Sequence, residues 1–183
     1  MASALGLHVQ ALRRRASIDG GAATFPYSVA PSASVLFATS DFVVCSLPGT
    51  SETEGLVNAS VLSTMKDGLF FVNVGRGSVV DEEALVRFSH KNDADPVQPS
   101  FGGLALDVFR NEPLPKDSPL WAIGTEALGC EAIISPHNAD STEDWADLSV
   151  AVFVERLREY GPQMDGGVSG IARFGEFEVD LLR

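Results

Sequence analysis

Cations are scarce in this chain. Its 183 residues hold 13 Lys and Arg against 25 Asp and Glu, a formal net charge of -12. A protein that grips duplex nucleic acid needs clustered Lys and Arg to displace counterions. Nucleic acid is therefore not an expected partner, and an acidic surface also repels anionic membranes. Long apolar runs are missing too: none approaches the roughly 20 residues of a membrane-spanning helix. Cysteine is rare. Cys45 and Cys130 stand far apart in strand-like contexts, which predicts two reduced, buried thiols rather than a disulfide. His8, His90 and His137 have no ligand spacing, and no C-x-x-C pair occurs, so no metal site is expected. The phosphate-binding pattern G-x-G-x-x-G is absent as well; Gly75-Arg76-Gly77 comes nearest but has no third glycine. What remains has ordinary globular composition, 45% hydrophobic and 21% charged, and is long enough for one domain with a real core.

The stretch LFFVNVGRGSVVDEEA, residues 69–84, organises the rest. An apolar run (Leu69, Phe70, Phe71, Val72) reads as a strand. The chain then turns at Asn73, Gly75 and Gly77, and a helix is predicted to begin near Asp81. One cation, Arg76, stands in the turn. The pattern repeats twice downstream. GLALDV, residues 103–108, reads as a strand followed by Glu112; AIIS, residues 132–135, reads as a strand followed by His137. In an open parallel α/β sheet, ligands bind outside the carboxyl ends of the strands. If these strands are parallel, Arg76, Glu112 and His137 converge on one rim. A cation that can hold a carboxylate, a carboxylate and an imidazole make a site for proton transfer beside a bound acid.

Four segments carry a family resemblance: SDFVVCSLPGTSETEGLVNASVLSTMKDG, FVNVGRGSVVDEEAL, GGLALDVFRNEPLPKDSPLW and IISPHNADST, together about residues 40–142. In identity, order and spacing the chain resembles the NAD-binding domain of the D-isomer-specific 2-hydroxyacid dehydrogenases. The resemblance implies an α/β fold, a Rossmann-like, doubly wound and mostly parallel sheet whose first strand and Gly-rich loop are missing. It implies that Arg76, Glu112 and His137 are the family's catalytic Arg, Glu and His. It further implies NADP or NAD as cofactor and a small 2-oxo or 2-hydroxy acid as substrate. Cofactor contacts are expected from Arg13 and Arg14, from Leu47, Pro48 and Thr50 after the strand at residues 42–47, and from Val74, Gly75, Asp107 and Ala139. Asp107 has a plainer reading, as an Asp that satisfies backbone donors of the next turn.

The N-terminal stretch MASALGLHVQALRRRAS can be read two ways. As fold, residues 7–12 are a strand resembling the family's second. As an address, the stretch is Arg-rich and without acids until Asp19, like an organelle transit peptide. On the first reading Arg13 stands where NAD-using members carry Asp or Glu. A guanidinium there would pair with a 2'-phosphate, which argues for NADPH; the alternative is that the arginines are only the solvated end of a strand. The expected organisation is a partial dinucleotide-binding domain over residues 1–160, a divergent tail over 161–183, and no separate substrate lobe. The expected function is hydride transfer between NAD(P)H and a small 2-oxo acid. The competing reading is an inactive truncated fragment that serves as a binding or oligomerisation module. A second copy of the chain is a candidate partner, and the expected location is cytoplasmic, or an organelle if the N-terminus is an address.

Further elements follow from local chemistry. A short strand is predicted at 24–27, a helix at 34–39, a strand buried on both faces at 42–47, and a helix at 59–65 capped by Asn58. Asp81 should cap a helix at 82–88, with Glu82 and Glu83 as helix-start residues. Residues 90–100 read as a solvated insertion, 125–130 as a second one, and Trp121 as packed on the sheet edge. A helix is predicted from Ser141 to about residue 160, with Trp145, Leu148 and Val152 on one face. Residues 174–182 could form a short strand or helix.

Overall fold

The computed structural model describes residues 5–13, 27–90, 95–124, 130–139, 141, 144, 146–147, 149–151, 154, 171–174 and 177–180. The chain divides into two compact units, Met1–Ala139 and Asp140–Arg183.

The first unit is an α/β sheet structure. Its elements are β1 (Gln10–Ala11), β2 (Ser28–Val29), α1 (Ala33–Thr39), β3 (Phe42–Cys45), α2 (Ala59–Leu62), β4 (Leu69–Asn73), α3 (Glu82–Phe88), β5 (Phe101–Leu106) and β6 (Glu131–Ile134). Short 3-10 turns lie at Gly77–Val79 and Pro119–Ala122. Strands β3-β4-β5-β6 form one sheet in that order, every pair parallel, and β1 pairs with β2, also parallel. The register aligns the strand ends: Cys45 faces Asn73, Asn73 faces Leu106, and Leu106 faces Ile134. The loops that follow β3, β4, β5 and β6 therefore leave the sheet along one rim.

Helix starts follow the sequence closely. Ser32, Asn58 and Asp81 cap α1, α2 and α3, each side chain accepting from backbone N–H groups of the first turn, which satisfies donors that the helix itself leaves unpaired. Gly68 takes a positive φ of 80° and lets the chain turn from α2 into β4, a conformation that costs glycine little. Alternation then places the core. Val43, Cys45, Phe71, Leu104 and Leu106 point to the helix-covered face, where they join Phe37, Leu62, Leu85 and Phe88 in one buried cluster. Both thiols are free and buried, and burial pushes them up from the ordinary thiol value.

Several expectations need correction. The apolar run at 42–47 does not form a strand buried on both faces: β3 alternates, with Phe42 66% and Val44 63% exposed, because helices cover one face and the other is open. The helix after Asn58 ends at Leu62 rather than at 65. The strand expected at 103–108 begins earlier, at Phe101, and ends before Asp107. Residues 90–100 are not simply solvated, since Gln98 and Ser100 are buried. Gln98 donates to the Arg87 carbonyl, and the Asp67 carboxylate accepts from Ser100. Trp121 is half exposed, and its Nε1–H donates to the Pro115 carbonyl.

The strand expected at 24–27 falls mostly outside the described residues, and β2 begins just after it. The insertion at 125–130 likewise falls mostly outside them. In the second unit, helical backbone is described at 146–147, 149–151 and 154; Trp145, Leu148 and Val152 lie outside the described residues. Strands β7 (Ile171–Phe174) and β8 (Phe177–Asp180) pair antiparallel, where a strand or a helix had been open. Among the described residues, no helix is long and apolar enough to cross a membrane, and no cluster of His, Cys, Asp or Glu is arranged to hold a metal ion.

Candidate active site

The rim is built turn by turn. After β4, the buried side chain of Asn73 closes a local ring: its Oδ1 accepts from the Gly75 N–H at 3.2 Å, and its Nδ2 donates to the Arg76 carbonyl at 3.3 Å. This Asx-type turn leaves Arg76 exposed, with Nη1 donating to the Gly75 carbonyl at 2.7 Å. Both flanking glycines are required by close approach. A Cβ on Gly75 would lie 2.6 Å from the Leu47 carbonyl oxygen, and one on Gly77 would lie 1.9 Å from the Phe109 carbonyl carbon. The turn carrying Arg76 is thus wedged between the loop after β3 and the loop after β5.

The loop after β5 carries Glu112. Its Oε1 accepts from the Phe109 N–H at 2.9 Å, which folds the loop back on itself. Its Oε2 lies 2.7 Å from His137 Nδ1, with the side chains 34% and 41% exposed respectively. So the imidazole from the β6 loop and the carboxylate from the β5 loop are in hydrogen-bond contact, and both are open to solvent. The Phe109 N–H, then the His137 contact, hold the Glu112 carboxyl below its ordinary value. The hydrogen bond and charge of Glu112 hold the His137 imidazole above its own. The Arg76 charge acts on both groups, so all three side chains expected at the site share one neighbourhood.

His137 has a left-handed backbone, φ 53°. For a residue with a Cβ this costs about 1–3 kcal/mol and persists only when neighbours hold it. The holding group is Asp107, 4% exposed. Its Oδ1 accepts from the Ser135 hydroxyl at 2.6 Å and the Asn138 N–H at 3.0 Å, and its Oδ2 accepts from the Ala139 N–H at 2.9 Å. Burial pushes its carboxyl up, but these bonds and the His137 charge outweigh burial, so it lies below the ordinary value.

The other expected residues fall into two groups. Leu47, Pro48, Thr50, Val74, Gly75 and Ala139 all lie along the rim. Pro48, Thr50, Val74 and Ala139 are exposed, Leu47 is half-buried and Gly75 is buried. Thr50 is tied to Thr53, whose hydroxyl donates to the Pro48 carbonyl at 2.6 Å. Arg13 lies half-buried just past β1, and Arg14 lies outside the described residues. Sequence reasoning gave no site role to several participants. Asn73 is legible only as a turn residue, two positions before Gly75. Ser135 had no local signal, because its partner comes from another strand. The pair formed by Arg110 Nη2 and Glu54 Oε1 at 2.8 Å, with Glu82 Oε1 accepting the Arg110 N–H at 2.6 Å, joins three separate segments beside the Glu112 loop. Glu82 is thus both a helix-start residue and an anchor for that loop.

An imidazole whose value is raised by a carboxylate on one of its nitrogens, with a guanidinium nearby, is a group suited to protonating a developing alkoxide next to a bound carboxylate. The chain is also similar to known proteins. The family profile for the D-isomer specific 2-hydroxyacid dehydrogenase, NAD binding domain, matches residues 1–139. A glyoxylate/hydroxypyruvate reductase B of Pectobacterium carotovorum is 45% identical over 122 residues, 67% of this chain and 34% of that protein. A D-3-phosphoglycerate dehydrogenase of Synechocystis is 38% identical over 128 residues, 68% of this chain and 20% of that protein. Among solved structures, a D-isomer specific 2-hydroxyacid dehydrogenase of Xanthobacter autotrophicus, in complex with NADPH and MES, is 30% identical with a TM-score of 0.60, covering 96% of this chain and 62% of that one. The chain spans about a third or less of the length of these two curated relatives.

Proposed function

This chain belongs to the D-isomer-specific 2-hydroxyacid dehydrogenase family, and from that premise we propose that it supplies the catalytic rim of a reductase acting on a small 2-oxo acid of the glyoxylate or hydroxypyruvate class. The observation that carries the reading is the 2.7 Å contact between His137 Nδ1 and Glu112 Oε2 on the rim, with Arg76 beside it.

The rim suits the nicotinamide end of a dinucleotide. Leu47, Pro48, Val74 and Ala139 offer apolar and backbone surface along the rim, where a side chain at Gly75 would collide with the Leu47 backbone. A bound reduced nicotinamide supplies the hydride. The chain's own residues do the rest. Glu112 holds Nδ1 and favours the imidazolium. His137 then delivers the proton on Nε2, its other ring nitrogen, to the substrate oxygen. Arg76 pairs with the substrate carboxylate and stabilises charge at the reacting carbonyl. Because the imidazole value is raised, the protonated form needed for reduction survives to higher pH than an isolated histidine would allow. Reduction should fall as pH rises through that value, and the reverse reaction should gain.

NADPH is the proposed preference. Arg13, just past β1, and Arg14, next to it in sequence, are the candidates to pair with a 2'-phosphate, and the solved Xanthobacter relative is in complex with NADPH. The test is reduction of glyoxylate and hydroxypyruvate by NADPH and by NADH, with thermal unfolding of the same chain in each cofactor. Turnover that His137→Ala removes, while the cofactor-induced rise in Tm remains, supports the assigned role. Equal loss of turnover and cofactor response would sink it. A second reading has one observation in its favour: the chain contains no G-x-G-x-x-G. On that reading the rim is intact but the chain binds cofactor weakly and acts as a binding module. Absence of any Tm response to millimolar cofactor would favour it.

A further inference from the structure

Asp107 sits beneath the rim rather than on it. It follows β5, and its backbone N–H donates to the Asn73 carbonyl of β4 at 3.0 Å. Its carboxylate reaches to the loop after β6, some thirty residues on in sequence. That loop carries a histidine in a conformation which L side chains rarely adopt. Three donors meet the carboxylate there: the Ser135 hydroxyl before His137, and the Asn138 and Ala139 amides after it. The donors thus bracket His137 on both sides. Removing the imidazole would leave all three bonds in place, so the clamp acts on the backbone and not on the ring.

We propose that Asp107 is a positioning residue for His137: its buried carboxylate fixes the left-handed backbone that aims the imidazole at Glu112. This refines the expectation that Asp107 contacts the cofactor, and it rests on the proposed catalytic role of His137 only for its functional meaning. The geometric claim stands by itself. A carboxylate is suited to the task because both oxygens accept. An amide in its place would turn a donor toward one of the two N–H groups. Charge alone is a different mechanism: the groups whose charge reaches His137 are Glu112, Arg76 and Asp107 itself, and Asp107 could act through space without holding anything. The two are separable, because Asp107→Glu keeps the charge and moves both oxygens outward by one methylene.

The test uses the full 183-residue chain with isotope-labelled histidine, His137 being assigned by its loss in His137→Gln. In the unaltered chain the His137 ring should carry its proton on Nδ1 against Glu112 and titrate above the ordinary histidine value. Asp107→Asn and Asp107→Glu should both abolish that Nδ1 signature and return the titration toward ordinary. Both should also speed solvent exchange of the Asn138 and Ala139 amides, by roughly tenfold or more. Ser135→Ala, which keeps the charge and both amide bonds, should change His137 far less. If Asp107→Glu leaves titration and exchange as they were, or if only Asp107→Asn shifts the titration, Asp107 acts as a charge and the clamp is overturned. Should the Asp107 variants fail to unfold cooperatively, exchange in the unaltered chain decides. Slow Asn138 and Ala139 amides support the clamp, and amides as fast as those of exposed loops overturn it. None of these readouts uses cofactor or substrate. A correctly aimed His137 in a chain without turnover would fail the reductase reading and leave the clamp intact.

Discussion

The two faces of the four-stranded sheet are made of similar residues and live in opposite surroundings. On one face Val43, Phe71, Leu104 and Leu106 are buried beneath the helices. On the other, Phe42, Val44, Phe70 and Ile133 are 66%, 63%, 42% and 69% exposed. Parallel sheets are ordinarily covered on both faces, and the apolar character of the open face shows that its sequence is written for cover too. There the Phe42 and Phe70 rings stack on each other, 5.2 Å apart. The difference teaches that stability and chemistry are drawn from different parts of this sheet. The covered face holds the strands in register, and the register carries the loops to a common rim.

The largest effect should come from the covered face. Phe71, fully buried and within 6.2 Å of the Phe37 and Phe101 rings, should cost about 3–5 kcal/mol when cut to Ala, read from denaturant unfolding. Next is Gly77→Ala, whose new methyl would meet the Phe109 backbone. Roughly 1–3 kcal/mol of strain is expected, together with loss of the raised His137 titration as the Arg76 and Glu112 loops are forced apart. A Gly77→Ala chain with unchanged stability and titration would mean the two loops are not wedged together.

The rim itself should show its sign through pH. Glu112 has a lowered folded value, so its stabilising share is present above the ordinary carboxylate range and is lost as pH falls through that lowered value. His137 has a raised one, so its share is complete below the ordinary histidine value and is lost as pH rises through the raised value. Their contact should therefore stabilise most between the two ordinary values, about pH 4.3 to 6.5. Glu112→Gln should flatten both limbs of the Tm–pH curve, and a curve that keeps its alkaline limb in that variant would remove Glu112 as the partner. Smallest of all is Val44→Thr on the open face, expected within about 0.5 kcal/mol. A loss comparable to Phe71→Ala would break the comparison outright, since it would mean the open face is covered in solution.

How much of this was legible in the residues depends on the range over which each signal acts. Asn58 and Asp81 cap helices through bonds spanning two or three residues, and both caps stand where the pattern put them. The apolar run of β4 was equally plain. The run FVVC in β3 was read as buried on both sides because an apolar run records only what a strand prefers, not whether a second layer is there to satisfy it. The Trp121 indole finds a carbonyl on its own loop, a partner that the residue pattern does not single out. Asp107 was seen as a residue that satisfies backbone donors, but the donors were sought in the next turn and lie on the neighbouring strand's loop.

The sequence by itself determined the strands, the caps, the glycine-flanked Arg76 and the family, because periodicity, capping and motif spacing act within a few residues. Only the tertiary structure decided which face is bare, that His137 meets Glu112, that Gly77 makes room for the Phe109 backbone, and that Asp107 holds the His137 loop. Each of those is a contact between loops that follow different strands. Such contacts exist only because parallel pairing brings Cys45, Asn73, Leu106 and Ile134 into one row and delivers all four loops to the same edge.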